Sequence, residues 1–193
     1  MKVVALNASV QKDGNTAILL KAVLHELQRE GIETELMQLA GKPIRGCIAC
    51  FKCFQNLDQR CAVNNDMLNA CLEKMLAADG IILGSPTYFA NVSAQMQALI
   101  ERAGLVAIAN GYMFKRKVGA AVVAVRRAGS IQVFDAMNHF FFSNQIIVPG
   151  SSYWNMGFGL QKGEVEQDDE GIQTMKVLGE NMAWLLKKVT ASH

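Results

Sequence analysis

The alternation of short apolar runs with amphipathic helical patterns most limits how this chain can fold. Candidate strands lie at 2–7, 34–39, 79–84, 118–125 and 145–148, of which 2–7 is a nearly continuous apolar run. Apolar residues at helical spacing lie at 15–30, 66–77, 92–102, 130–142 and 171–188. Two parallel neighbouring strands need a crossover connection, which is usually a helix. The pattern therefore predicts an α/β fold, in which a five-stranded parallel sheet forms the middle layer of a three-layer sandwich.

The size and charge of the chain exclude several classes of protein. Its 193 residues match one domain better than two, so residues 1–193 are expected to form a single domain. The net charge of +2 is too small for the broad basic face that binds nucleic acid. The apolar runs are far shorter than the roughly 20 residues that span a bilayer. With an odd number of cysteines and no secretion signal, the protein is expected to be cytoplasmic, without a nucleic-acid or membrane partner.

A polar loop follows the first strand, from Asn7 to Thr16, and leads directly into the first helix. Backbone N–H groups and the helix dipole favour an anion at such a position, and Ser9, Asn15 and Thr16 add hydroxyl and amide donors. The loop lacks the Lys-Ser/Thr ending of a nucleoside triphosphate loop and the three glycines of a dinucleotide loop. A monophosphate is therefore the favoured ligand. The alternative is that Asn15 or Thr16 only caps the helix.

A second candidate loop, residues 84–91, follows the third strand. Open parallel sheets bind ligands at the carboxyl ends of their strands. Because Pro86 has no N–H and a fixed φ angle, the three amides that follow it are expected to face a planar polar ligand. These amides belong to Thr87, Tyr88 and Phe89, two of which also offer aromatic rings. The alternative is an ordinary strand-to-helix turn whose aromatic side chains pack against the sheet.

The two loops, residues 8–16 and 84–88, resemble those of the NADPH-dependent FMN reductase and iron–sulfur flavoprotein family. The resemblance covers nearly the whole chain and implies a flavodoxin-like fold with strand order 2-1-3-4-5 and FMN as the cofactor. It also implies that the flavin carries the chemistry, so no side chain is expected to act as a catalytic acid or base. Because the family builds its flavin pocket between subunits, a homodimer or tetramer is expected.

The resemblance assigns FMN to three loops. The phosphate is expected on Ser9, Gln11, Asn15 and Thr16. The isoalloxazine ring is expected over the second loop, at Ser85, Pro86, Thr87, Tyr88, Phe89 and Asn91. The loop after the fourth strand is expected to touch the ring through Arg126, Ala128 and Gly129. Arg126 and Arg127 stand where glycines are often found in the family, so which arginine approaches the flavin is left open.

The segment of about residues 41–65 is longer than an ordinary connection and holds four of the five cysteines. Cys47, Cys50 and Cys53 have the spacing Cys-x2-Cys-x2-Cys, and Cys61 follows. This spacing suits a 4Fe-4S cluster, because each sulfur must reach a separate iron. The iron–sulfur flavoprotein branch of the family has the same spacing at a cluster close to its flavin. These four cysteines are candidate ligands, with free thiols, a labile disulfide and a zinc site as alternatives.

Other residues that could carry chemistry are expected to be structural. Cys71 lies within the helical pattern 66–77, at a position typical of the core. His25, His139 and His193 have no nucleophile or carboxylate at a spacing typical of a triad or a metal site.

The residues and the resemblance together predict an FMN-dependent oxidoreductase. It is expected to take hydride from NADH or NADPH at flavin N5 and to pass electrons to a quinone, a flavin, a small oxidant or a redox partner. One alternative is an iron–sulfur flavoprotein or flavodoxin-like electron carrier with little nicotinamide activity. A second alternative is a redox or metal sensor that works through the cysteine loop.

Overall fold

The computed structural model describes residues 1–41 and 43–190, so His193 lies outside the described residues. Five strands form one sheet: β1 (Lys2–Asn7), β2 (Glu33–Gln38), β3 (Gly80–Pro86), β4 (Val118–Val125) and β5 (Met156–Phe158). All neighbouring strands are parallel, in the order β2-β1-β3-β4-β5. The expected α/β class and the expected strand order 2-1-3-4-5 are confirmed.

Helices cover both faces of the sheet. They are α1 (Asn15–Arg29), α2 (Lys52–Asn56), α3 (Leu68–Ala77), α4 (Ala94–Ala109), α5 (Ser130–Ser143) and α6 (Asp169–Thr190). Apolar residues of α3, α4 and α5 pack on one face, and those of α1 and α6 pack on the other. The central strands are apolar on both sides because each side meets a helical layer. Within the described residues, no helix is long and apolar enough to cross a membrane.

The expected fifth strand at 145–148 is wrong in position. In that segment Ile147 forms only an isolated parallel bridge to Val118. Pro149 follows two residues later and has no N–H for a sheet hydrogen bond, which favours an interruption of the edge strand. The chain pairs with β4 again from Met156, where β5 begins. This displacement matters for the site, because the residues after β5 reach the carboxyl edge of the sheet.

The cysteine-rich segment contains one short helix, α2, which contacts α4. Most of the segment is irregular, and several of its side chains are exposed. Its attachment to the sheet domain therefore depends on a few specific contacts with α3 and α4, which are described with the site.

Candidate functional site

A cleft opens at the carboxyl ends of β1, β3 and β4, where three loops meet a fourth one after β5. It is lined by Ser9, Gln11, Asn15, Thr16, Pro86, Thr87, Tyr88, Ala124, Val125, Arg126, Gly159 and Leu160. The cleft therefore brings together the polar loop after β1, the proline loop after β3 and the first arginine after β4. It lies between β1 and β3, where the strand order reverses and open sheets bind their ligands.

Hydrogen bonds within the polar loop after β1 fix its conformation. The Ser9 N–H donates to the side-chain oxygen of Asn7 (3.0 Å), and the Gln11 N–H donates to Ser9 Oγ (3.2 Å). Helix α1 begins after Gly14, and no side chain accepts a capping hydrogen bond there. The capping alternative is therefore wrong, and the first N–H groups of α1 stand beside the cleft without a side-chain cap.

Asn15 lines the cleft, and its side chain also has two partners within the protein. Its Nδ2 donates to the Gln161 carbonyl (3.0 Å), and its Oδ1 accepts from the Gly163 N–H (2.9 Å). The side chain thus joins α1 to residues 159–164, which form a further wall of the cleft. The carboxylate of Glu164 stabilises this wall by accepting N–H groups of Leu160 (2.7 Å) and Gln161 (2.9 Å).

The wall formed by residues 159–164 gives a testable pH dependence. The two backbone hydrogen bonds, from Gln161 and then Leu160, lower the pKa of Glu164. A lowered carboxyl pKa stabilises the wall above the ordinary pKa of about 4.3, and this contribution is lost as the pH falls through the lowered value. We expect Glu164→Gln to bind FMN about two- to fivefold more weakly at pH 7, because a charge-assisted acceptor is lost.

In a fluorescence titration, the difference in FMN affinity between native protein and Glu164→Gln should shrink below about pH 4. Comparing the two proteins at each pH cancels the titration of the FMN phosphate itself. A ratio of affinities that stays constant down to the acid limit of folding, set by circular dichroism, would contradict this role of Glu164.

The loop after β3 lines the cleft and contains one buried polar group without a hydrogen-bond partner in the described part of the chain. The N–H of Thr87 donates to the Ala124 carbonyl (2.8 Å), and the N–H of Tyr88 donates to the Asn91 carbonyl (2.9 Å). The expectation that these two amides face a ligand is therefore wrong. Thr87 Oγ1, in contrast, is buried at the cleft and has no hydrogen-bond partner among the described residues. Buried polar groups are nearly always paired, so this hydroxyl indicates a polar ligand.

Replacing Thr87 by valine should separate ligand binding from stability. The substitution removes only the unpaired hydroxyl and keeps the side-chain shape, so the free energy of unfolding of the FMN-free protein should stay equal or rise. If FMN pairs with the hydroxyl, its affinity should fall about tenfold. Chemical denaturation and a fluorescence titration of the same samples measure the two effects. Unchanged FMN affinity would show that the hydroxyl does not meet the flavin.

Five of the expected FMN residues lie outside the cleft lining, namely Ser85, Phe89, Asn91, Ala128 and Gly129. Ser85 is buried behind the cleft, where its Oγ accepts the Ser93 N–H (3.0 Å). Phe89 is fully exposed at the rim, with a φ of 50° that is uncommon for a bulky residue. Gly129 packs so closely on Ala90 that an added Cβ would lie 2.8 Å from it. The loops after β3 and β4 therefore touch at the rim.

A second pocket gathers the four cysteines of the long segment. It is lined by Cys47, Ile48, Cys50, Phe51, Cys53, Cys61, Ala62, Val63, Arg102, Leu105 and Val106. All five cysteines of the chain are free thiols in this structure, and no two of them form a disulfide. Among the described residues, no three His, Cys, Asp or Glu side chains converge closely enough to hold one metal ion. A cluster makes a different demand, because its four sulfurs bind four separate irons.

The fifth cysteine, Cys71, is separate from this pocket. It belongs to α3 and is fully buried in the core. Burial, with a smaller contribution from Asp66, raises the pKa of its thiol to about 12. Since the thiolate is the reactive and metal-binding form, Cys71 acts as a small apolar side chain.

The chain around the pocket is wound tightly. Ala49, Phe51, Leu57 and Gln59 all have positive φ angles between 50° and 60°. The N–H of Ala49 donates to Cys47 Sγ (3.4 Å), so a backbone amide already faces a sulfur. Burial, opposed by backbone hydrogen bonds, raises the pKa of Cys53, and the neighbouring Cys61 and Cys50 add to the rise. These three thiols therefore share one site.

The pocket wall supplies chemistry that suits an iron–sulfur cluster. Thiol donors surround an otherwise mostly apolar interior, in which Leu105 and Val106 exclude water. Arg102 Nε is buried and has no hydrogen-bond partner among the described residues. A cluster with several sulfur acceptors fits both the thiol set and this unused donor.

The parallel order 2-1-3-4-5, with a cleft at the carboxyl ends of the neighbouring strands β1 and β3, defines a flavodoxin-like protein. The chain belongs to the NADPH-dependent FMN reductase family, whose model matches residues 1–161. The family resemblance inferred from the two loops is confirmed, and FMN is the cofactor that the family supports.

Curated relatives and solved structures agree with this assignment. An iron-sulfur flavoprotein of Methanocaldococcus jannaschii is 36% identical, over 98% of this chain and 99% of the relative. An iron-sulfur flavoprotein of Methanosarcina thermophila is 30% identical, over 98% of this chain and 97% of the relative. The WrbA-like flavodoxin of Agrobacterium tumefaciens superposes with a TM-score of 0.69 at 14% identity, over 97% of this chain and 98% of that structure. That last likeness shows the fold alone.

Sequence reasoning missed part of the cleft lining. Ala124 and Val125 end β4 at the cleft, and Gly159 and Leu160 reach it from beyond β5. The β4 residues could have been expected from their position at a strand end. The two later residues could not, because the fifth strand was placed too early in the chain.

Proposed function

We propose that this chain binds FMN in the cleft and a 4Fe-4S cluster in the cysteine pocket, and transfers electrons between NADH or NADPH and a redox partner. The observation that carries the proposal is the pocket that gathers Cys47, Cys50, Cys53 and Cys61 in a chain whose sheet edge also forms a cleft at the strand ends. The alternative acceptors are a quinone, a free flavin or a small oxidant, which need only the cleft.

The residues of the cleft divide into two groups by the part of FMN they would bind. Ser9, Gln11 and Thr16, with the uncapped start of α1, would hold the phosphate. Thr87 Oγ1 would hydrogen-bond a polar edge of the ring, and the half-exposed ring of Tyr88 would lie beside it. Pro86 would border the ring within the cleft and Ser85 would support it from behind, and the residues proposed at the rim are Phe89, Asn91, Ala128 and Gly129. Bound FMN would supply electron-pair exchange with NAD(P)H and single-electron exchange with the cluster.

Arg126 supports the use of a nicotinamide nucleotide. It lines the cleft and is exposed at its mouth, where the loop after β4 ends. A guanidinium at that position can pair with the phosphates of NADH or NADPH while the nicotinamide ring approaches the flavin. No side chain in this arrangement needs to act as an acid or a base.

The exposed apolar surface supports assembly with a second copy of the chain. Ile48, Phe51, Phe54 and Leu57 are exposed around the cysteine pocket, and Phe89 is exposed at the rim of the cleft. We propose that a homodimer or a tetramer covers these side chains and brings the two pockets of different subunits together. Free thiols and an oxygen-sensitive cluster also suit the reducing cytoplasm.

The first test is the visible spectrum of anaerobically purified protein, with FMN, iron, sulfide and zinc assayed on the same sample. The expected result is one FMN per chain, with the broad absorption of an iron–sulfur cluster and near-equal amounts of iron and sulfide. Addition of NADH or NADPH should then bleach the flavin bands. FMN without iron would overturn the proposed cluster and would support only a flavin reductase. Failure to bind FMN after reconstitution would overturn the whole proposal.

A further inference from the structure

Arg102 lies in α4 directly beneath the cysteine segment and is only 2% exposed. Its Nη2 donates to Cys61 Sγ (3.3 Å) and to the Val63 carbonyl (2.8 Å). Its Nη1 donates to the Arg45 carbonyl (3.0 Å) and to the carboxylate of Asp66. One guanidinium therefore holds both ends of the segment that carries all four candidate ligands.

Asp66 is the counter-ion of Arg102, and both side chains are only 1% exposed. The Asp66 carboxylate also accepts the N–H groups of Arg45 (3.2 Å) and Leu68 (3.1 Å), so it is fully engaged. A buried ion pair rarely stabilises a protein more than an apolar pair of the same size. Stability alone therefore does not explain why the chain has this buried ion pair. The contact between the guanidinium and the Cys61 sulfur explains it better.

Contacts with α3 and α4 set the position of Cys61, which lies outside the compact motif of the other three candidate ligands. Cys47, Cys50 and Cys53 are fixed relative to one another by a compact motif, whereas Cys61 comes later in the chain. The N–H and C=O groups of Cys61 bond the side chain of Asn69 (2.8 and 2.9 Å). Among the described residues, the guanidinium of Arg102 is the hydrogen-bond donor that contacts the Cys61 sulfur.

We propose that Arg102 is a positioning residue that fixes Cys61 as the fourth ligand and raises the reduction potential of the cluster. The inference rests on the proposed cluster. A positive charge and a hydrogen bond at a ligand sulfur stabilise the reduced cluster, which carries one more negative charge than the oxidised one. The guanidinium touches the sulfur, whereas its counter-ion lies on the other terminal nitrogen, so the positive charge dominates at the ligand.

Two variants isolate the effect of Arg102. Asp66→Asn removes the negative charge of the counter-ion and keeps one acceptor oxygen, so the N–H of either Arg45 or Leu68 loses its acceptor, equally in both variants. Asp66→Asn with Arg102→Met then removes the guanidinium without leaving a buried charge. The readout is the cluster midpoint potential, from a redox titration followed by electron paramagnetic resonance. Circular dichroism and thermal melting confirm that each protein is folded.

The expected order of potentials is Asp66→Asn highest, native protein next and the double variant lowest. The two variants should differ by at least a tenfold change in the ratio of oxidised to reduced cluster at one applied potential, which is about 59 mV for one electron. Equal potentials in the two variants would overturn the proposal. If the double variant does not fold, Asp66→Asn with Arg102→Gln replaces it, because the amide removes the charge and keeps a polar donor, and a potential equal to that of Asp66→Asn would equally overturn the proposal.

Positioning of Cys61 is tested separately in cluster-free protein by hydrogen exchange. Amides of residues 61–65 should exchange about tenfold faster in the double variant than in Asp66→Asn, while those of β3 and β4 stay unchanged. Equal exchange would overturn the positioning role. Native protein that never takes up iron would instead overturn the proposed cluster and the potential effect with it, and hydrogen exchange would still decide whether Arg102 holds Cys61.

Discussion

Gln11→Glu should weaken FMN binding by at least about tenfold and leave riboflavin binding unchanged. Gln11 is exposed and lines the cleft beside the uncapped start of α1. The substitution keeps the size of the side chain and adds one negative charge next to the phosphate, which itself carries close to two. Like charges about 4 Å apart repel by about 1 kcal/mol in water and by more near a protein surface. Fluorescence titrations with the two ligands measure the effect.

Riboflavin is the matched control for Gln11→Glu because it lacks only the phosphate. The loss of FMN affinity should also shrink at high salt, since the repulsion acts between partly exposed charges. The backbone N–H of Gln11 still donates to Ser9 Oγ in the variant, so the loop itself should keep its shape. Equal weakening of FMN and riboflavin would place the phosphate elsewhere in the protein.

Cys50→Ala should remove most of the iron and sulfide from the purified protein while FMN stays near one per chain. The thiol is exposed and lines the cysteine pocket, so its loss creates no cavity in the core. A cluster that loses one of four ligands is held too weakly to survive purification. Iron, sulfide and flavin assays on the same sample measure the outcome.

Cys71→Ala is the matched control, because it removes a thiol that lies outside the pocket. This variant should keep its iron and its FMN and lose about 1–2 kcal/mol of the free energy of unfolding, since Cys71 is fully buried. If Cys50→Ala and native protein contain the same iron, the four cysteines are not the cluster ligands. In that case the alternative of free or redox-active thiols gains support.

Patterns local in sequence predicted most of the sheet and much of the cleft. β1, β3 and β4 appear as mostly apolar runs because helices cover both sides of them, whereas the edge strand β2 mixes polar and apolar residues. The two loops after β1 and β3 are recognisable because anion binding and strand-end chemistry demand particular residues next to particular strands. The order of the strands then brought these loops to one cleft, as expected.

Features that depend on distant residues were not predictable. β5 is a short edge strand, and its partner decides where it lies more than its own composition does. The hydrogen bond from the Thr87 N–H to the Ala124 carbonyl joins two segments that are far apart in sequence. Arg102 offered a weak signal, because it stands within the otherwise apolar face of α4. Its partner Asp66 could not be identified without the fold.

The bond between Asn15 and Gly163 ties the start of the chain to a residue that is synthesised much later. The far wall of the cleft depends on this contact and on β5, so a growing chain has no complete cleft until both have left the ribosome. In the proposed site, uptake of FMN would therefore follow translation. FMN would bind only the finished fold. A shortage of riboflavin, from which FMN is made, would therefore leave folded protein without its cofactor, which is less stable and more easily cut by proteases.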